Sequence, residues 1–179
     1  MPRDFAIACA DIILECTPSG LPDLYDELKA HAALADEIVL GGRDLCCLTA
    51  RRTAEPWPFL VVALGCLPGS AGLSPGALFV ADTSALFIGY GERVLAYRLQ
   101  PPAKIWAEDA AGGFRFWEQH GDVVLLGGGQ VIAAWSAAGD KLWTVRASPD
   151  WNHRVQGQVL ELTDDAGGKR SFPLGEGPR

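Results

Sequence analysis

From residue 77 onward, short apolar runs alternate with breaks rich in Gly, Pro and charged residues at nearly constant spacing. That pattern predicts strands at 77–81, 85–89, 93–98, 104–108, 114–119, 123–127, 131–136, 141–147, 154–156, 159–163 and 169–172. Short strands at this spacing predict an antiparallel meander. Upstream the grain differs. Residues 5–16 form a long apolar run, read as one or two buried strands, and "TPSG" at 17–20 stops it. Leu21, Leu24, Tyr25, Leu28 and Ala32 then fall at helical spacing, predicting one helix over 21–35. Ser19 or Gly20 caps it in this reading, with Pro22 in its first turn. "EIVL", "DLCCLTA" and "WPFLVVALGC" read as further strands, and "LPGSAGLSPG" at 67–76 as the loop dividing the chain.

The meander repeats itself. "ALFIGYGERVLAY" at 85–97 aligns without a gap on "VVLLGGGQVIAAW" at 123–135, matching Gly89 with Gly127, Gly91 with Gly129 and Tyr97 with Trp135. The likeness continues until Trp106 answers Trp143, and "GQVLEL" at 157–162 begins a weaker third copy. Glycines that recur between two apolar runs predict hairpin turns needing positive φ. A phosphate loop requires Lys-Ser/Thr after the glycines and then a helix. Here Gln130 and a strand follow.

A period near 38 lies in the range of propeller blades. "RVLAYRLQPPAKIW" and "VIAAWSAAGDKLW" resemble the blade motif of pyrroloquinoline-quinone-type and related WD-type β-propellers, an Ala-aromatic strand followed by a turn and a Trp-bearing strand. The resemblance covers roughly 77–172 and implies architecture alone. No position matches quinone or calcium ligands of that family, and "DDAGG" at 164–168 reads as a hairpin turn, so no cofactor is expected. The fold expected is mainly β, an antiparallel meander of repeated propeller-blade-like hairpins with one N-terminal α-helix. Residues 1–66 supply strands plus the helix and pack on a repeat region at 77–174, as a single compact domain.

Charge narrows the partners. The net charge of −7 sits upstream: the first forty residues hold 2 Lys/Arg against 8 Asp/Glu. Nucleic acid and anionic membrane both need a basic footprint, so neither is expected. "MPRDFAIACADIILEC" does not read as a secretory signal, and the expected location is cytoplasmic. The five cysteines, an odd number held within apolar runs, read as reduced core thiols.

Chemistry is sparse. His31, His120 and His153 belong to no closely spaced ligand pair, so no metal is expected. "PGSAG" around Ser70 puts Pro68 where a nucleophile elbow needs glycine. A Cys–His pair using Cys46 or Cys47 stays open as an idea, because such residues meet only in the fold. Trp106 and Trp143 read as repeated packing. Trp117 with His120, and Trp151 with His153 and Arg154, read as a candidate binding surface, because aromatic and arginine side chains anchor interfaces. No catalytic residue is assigned.

The leading functional reading is a non-catalytic protein-interaction module. Its specific form is an immunity-type inhibitor that meets a basic partner through Asp23, Asp26, Glu27, Asp36 and Glu37. The alternative is a binder of a small molecule (sugar or nucleotide), or a cryptic enzyme, with a Trp/His loop pocket. A third reading, one piece of a larger propeller assembled by oligomerisation, carries an oligomer as its expectation.

Overall fold

Turns of a few residues leave consecutive strands no partner but each other, and antiparallel sheets result. In the computed structural model, which describes residues 5–18, 20–38, 44–66 and 74–178, four sheets stand in a row. Sheet I contains β1 (Phe5–Cys9), β2 (Ile12–Thr17), β3 (Leu34–Ile38), β4 (Asp44–Arg52) and β5 (Leu60–Cys66), in the order β1-β2-β4-β5-β3. Sheet II is the sequential meander β6 (Gly76–Val80), β7 (Ala85–Tyr90), β8 (Arg93–Leu99) and β9 (Pro102–Asp109). Sheet III repeats it with β10 (Phe114–His120), β11 (Val123–Gly128), β12 (Val131–Ser136) and β13 (Lys141–Arg146). Sheet IV has three strands, β14 (Asn152–Gln156), β15 (Val159–Thr163) and β16 (Lys169–Pro173). All ladders are antiparallel except β3 on β5, which is parallel.

The expected strands of the repeat region are present, with ends shifted by a residue or two. Helix α1 is shorter than its pattern: it spans Tyr25–His31, and Ala35 lies in β3 instead. Pro22 precedes the helix, and its carbonyl accepts the Tyr25 N–H at 2.9 Å. Leu24, counted on the apolar stripe, is 55% exposed. Tertiary pairing outweighs local propensity here, since 34–38 gains a complete ladder against β5. Ser19 and most of the 67–76 loop lie outside the described residues.

Three cores lie between successive sheets. Ile12, Leu14, Cys46, Leu48, Leu60 and Val62 of sheet I meet Leu86, Ile88, Leu95 and Tyr97 of sheet II. Phe87, Val94 and Ala96 meet Phe114, Val124 and Trp135 between sheets II and III. Leu125, Ile132 and Trp143 meet Leu160, Leu162 and Phe172 between sheets III and IV. The repeated tryptophans act as latches between neighbours. Trp106 Nε1 donates to the Gly139 carbonyl at 2.7 Å, and Trp143 Nε1 donates to the Leu174 carbonyl at 2.7 Å. Each indole thus buries its ring and satisfies its N–H on a turn of the following sheet.

The two ends of the row differ. On the far face of sheet I, Cys47, Val61 and Ala63 are covered by Leu21, Tyr25, Leu28 and Ala32 of the helical segment. The far face of sheet IV carries Asn152, Arg154, Gln156, Glu161, Lys169 and Ser171, a mostly polar surface with the exposed Val159 among them.

The glycine run has two jobs that differ from the one expected. Gly91 does turn its hairpin with φ +55°. Gly127 and Gly89 sit within strands, where a Cβ would enter the rings of Phe116 and Phe114 respectively. Gly129, expected to supply positive φ, does not: a Cβ there would strike the Gly112 backbone. Close approach, not conformational freedom, fixes glycine at these positions. The Gly129 and Gln130 N–H groups bond the carbonyls of Gly113 and Ala111, both at 2.8 Å, so they are unavailable to a phosphate. "DDAGG" is the β15–β16 turn, closed by Asp164 N–H to Gly168 O at 3.0 Å.

Candidate functional site

Side chains on a strand alternate between faces. On β10 this sends Phe116, Glu118 and His120 toward sheet IV and Trp117 toward sheet II. Glu118 Oε2 lies 2.9 Å from His153 Nε2 and 3.2 Å from His120 Nε2, so one carboxylate oxygen collects both imidazoles. Phe116 stacks on His153, with centroids 4.9 Å apart and planes 15° apart. The cluster lies where the edge strands β10 and β14 face each other, and its side chains are partly open to solvent. Burial pulls the Glu118 carboxyl upward, but the hydrogen bonds from His153 and His120 outweigh it and leave its pKa below the usual carboxylate value.

A lowered native pKa means that the unfolded chain binds the proton more readily, so stability rises with pH across that titration. The contribution of Glu118 is complete above its unfolded pKa of about 4.3 and is lost as pH falls through its lower native value. Glu118→Gln should therefore flatten the acid limb of a stability-against-pH curve measured by urea unfolding from pH 5 to pH 3. A limb parallel to the parent's would remove this role.

The structure brings only part of the expected surface together. His120 and His153 meet, through Glu118. Trp117 turns the other way, into the core between sheets II and III, with Phe87 at 5.4 Å and Trp135 at 5.7 Å. Trp151, expected at a surface, is 6% exposed and donates Nε1–H to the Gly128 carbonyl at 3.1 Å. Arg115 reaches across its ring at 5.9 Å. Arg154 stands on the polar far face of sheet IV, opposite to His153. Glu118 is the residue the sequence reading passed over, although strand alternation from 114 to 120 places it with His120 and apart from Trp117.

The acidic segment divides as well. Asp36 accepts the Tyr97 hydroxyl and the Lys104 ammonium, both at 2.6 Å, and ties β3 to sheet II. Glu37 accepts Tyr25 at 2.9 Å and pairs with Lys29. Asp23, Asp26 and Glu27 remain exposed on and just before α1 and enter none of the ion pairs among the described residues.

Cys46 and Cys47, the thiols weighed for a Cys–His pair, are poor nucleophiles. Cys16 Sγ and Cys46 Sγ lie 3.4 Å apart inside the sheet I core. The hydrogen bond from Cys16 and then burial push the Cys46 thiol far up, and burial pushes Cys47 up to about 12. Thiolate is the reactive form. Native alkylation followed by intact mass should therefore show Cys9 modified quickly, with Cys16, Cys46, Cys47 and Cys66 reacting only after denaturation. Rapid modification of two or more thiols would contradict this packing. Among the described residues no group of three His, Cys, Asp or Glu side chains is placed to hold a metal ion. Ser70 lies outside the described residues.

Two edge strands, β1 and β6, stand apart. Edge strands invite pairing by another chain, and proteins guard them with charge or proline. Here β16 has Lys169, Arg170 and Pro173, β9 has Pro102 and Lys104, β13 has Lys141 and Arg146, and β3 has Asp36 and Glu37. β6 reads Gly-Ala-Leu-Phe-Val without a guard, but its Ala77, Leu78 and Phe79 pack against the cores on either side; β1 reads Phe-Ala-Ile-Ala-Cys, also without a guard. Its Ala6, Ile7 and Ala8 are exposed, Ile7 at 42%, and none of residues 6–9 belongs to a core.

No family model and no curated protein matches the sequence. Solved structures do. HIRA(644-1017) matches 96% of this chain and 53% of its own at 9% identity, with a TM-score of 0.50. BamB from Moraxella catarrhalis matches 95% of this chain and 60% of its own at 13% identity, with a TM-score of 0.48. Hsv2p from Kluyveromyces lactis matches 92% and 43% at 8% identity, with a TM-score of 0.45. These are β-propeller proteins, and the match to HIRA(644-1017), together with the repeated sheets, supports a propeller-like repeat fold for this chain, which spans about half the length of the chains it matches.

Proposed function

We propose that this propeller-like array is a non-catalytic protein-interaction module. The observation that carries the reading is the open edge of β1, uncharged along its length, with Ala6, Ile7 and Ala8 exposed. An extended partner segment adding to that edge would gain main-chain hydrogen bonds and cover Ile7. Among the described residues the acids near the edge have a cation beside them, Asp11 with Arg52 at 2.6 Å and Glu15 with Arg51 at 3.6 Å, which favours an uncharged strand. A second copy of the chain fits less well. Antiparallel pairing of β1 with itself has its two-fold axis perpendicular to the sheet. The second copy's sheets II–IV would then stand on the same side of sheet I as the first copy's.

The finer reading is that the partner is basic and also meets Asp23, Asp26 and Glu27. Charged groups beside an interface mainly accelerate encounter, while buried apolar contacts set its lifetime. Capture of a stoichiometric protein by the tagged chain, with kinetics followed by surface plasmon resonance, separates the two contributions. Ile7→Lys should raise the dissociation rate about tenfold or more, whereas Asp26→Lys with Glu27→Lys should slow association and flatten its salt dependence. A partner indifferent to Ile7→Lys would remove β1 from the interface, and one indifferent to the charge reversal would remove the basic-partner reading.

A further inference from the structure

Beside the helix on the far face of sheet I lies a cleft of about 470 Å3. Its floor is sheet: Glu15 and Thr17 from β2, with Cys47, Thr49 and Arg51 from β4. The ladder sets Glu15 opposite Thr49 and Thr17 opposite Cys47, which places Arg51 diagonal to Glu15 on the same face. Pro22 and Leu28 form one wall, and Pro56 and Pro58 of the β4–β5 loop form the other. The volume falls at the small end of the range for metabolite sites, about 300–1,000 Å3.

The polar groups of the floor are underused. Arg51 Nε and Glu15 Oε2 stand 3.6 Å apart, beyond hydrogen-bonding distance, with side-chain exposures of 27% and 49%. Among the described residues neither group, nor the hydroxyl of Thr17 or Thr49, makes a side-chain hydrogen bond. The Cys47 thiol beneath them stays protonated at neutral pH, so the floor binds without reacting. Charge then selects the guest. A simple anion would meet Glu15, and a simple cation would meet Arg51. A group carrying both charges on adjacent atoms turns its ammonium to Glu15 and its carboxylate to Arg51, making charge-assisted hydrogen bonds to both. The threonine hydroxyls accept or donate beside it. The proline and leucine walls suit an aliphatic body and lose little entropy on ordering.

We propose that this cleft binds the zwitterionic head of a free α-amino acid with an aliphatic side chain. Ala6 of β1 lines the rim of the cleft beside Glu15, but Ile7 lies on the other face of that strand, opposite Leu14, so Ile7→Lys should leave the cleft intact. The test is isothermal titration calorimetry of the whole chain with L-leucine and L-proline, set against N-acetyl-leucine, leucinamide and the dipeptide Leu-Leu. Saturable one-to-one binding of a free amino acid is expected, weakened at least about tenfold by removing either charge from the ligand. Arg51→Gln and Glu15→Gln should each weaken it similarly, and Thr49→Val by less. Equal binding of the acetylated or amidated compound would overturn the zwitterion assignment, and tighter binding of Leu-Leu would reassign the cleft to peptides. No heat with any of the five would overturn the site itself. Should a charge variant fail to fold, the ligand series on the parent protein decides alone.

Discussion

Trp135→Ala is expected to remove about 3–5 kcal/mol of stability, the range for deleting a large aromatic from a packed core. Trp135 is 1% exposed and stacks on Trp106 at 4.9 Å, with Trp117 edge-on at 5.7 Å. It therefore joins the latch strand β9 and the edge strand β10 across the interface of sheets II and III. A cavity there weakens both, and the rigid strands around it have little room to collapse. Its Nε1–H is buried without a hydrogen-bond partner, as is that of Trp117. An unmade hydrogen bond is itself destabilising, so Trp135→Phe should lose much less than Trp135→Ala. Urea unfolding followed by far-UV circular dichroism measures both. Equal losses for Phe and Ala would mean that the ring volume is not what holds the interface.

The second large effect is expected at Gly127. Gly127→Ala puts a methyl group into the face of Phe116, its cross-strand partner on β10. Phe116 cannot swing away freely, because it is stacked on His153 and lies 6.0 Å from Trp151. Overpacking of this kind destabilises by about 1–3 kcal/mol. The diagnosis is separable from a simple loss of backbone freedom, because Gly127 does not use positive φ. Gly127→Ala combined with Phe116→Leu should be more stable than the sum of the single changes, with coupling of about 0.5–3 kcal/mol. Strict additivity in this cycle would show that the ring and the glycine are not in conflict.

These two sites mark how far the chain could be read in advance. The glycine-centred repeat betrayed the hairpins and their blade-like grouping, because turn chemistry and alternation are local. Local order also contained a lesson left unused: once 114–119 reads as a strand, Trp117 and Glu118 must part company. What locality does not contain is the approach of one hairpin to another. Nothing near Gly129 announces that the Gly112 backbone will lie against it. Nothing near 34–38 announces a parallel place beside β5, the reason for the short α1. Asp36 and Glu37 looked like surface charge for the same reason, since their partners Tyr97, Lys104 and Tyr25 are reached only through the packing of sheets.

The unlike ends of the row bear on how the molecule behaves in a crowd of its own kind. Stacked sheets resemble beads that thread onward whenever head fits tail, and an open head-to-tail contact that fails to close yields a fibre. Repeat proteins escape that fate by making their terminal units unlike their internal ones. Here a helical lid on sheet I would confront the charged plane of sheet IV, with Arg154, Glu161 and Lys169 facing outward. Burying that plane without matched partners is unfavourable, so lengthwise threading gains nothing at any link. The same plane offers an engineer a place to graft apolar residues, after which the beads should begin to string.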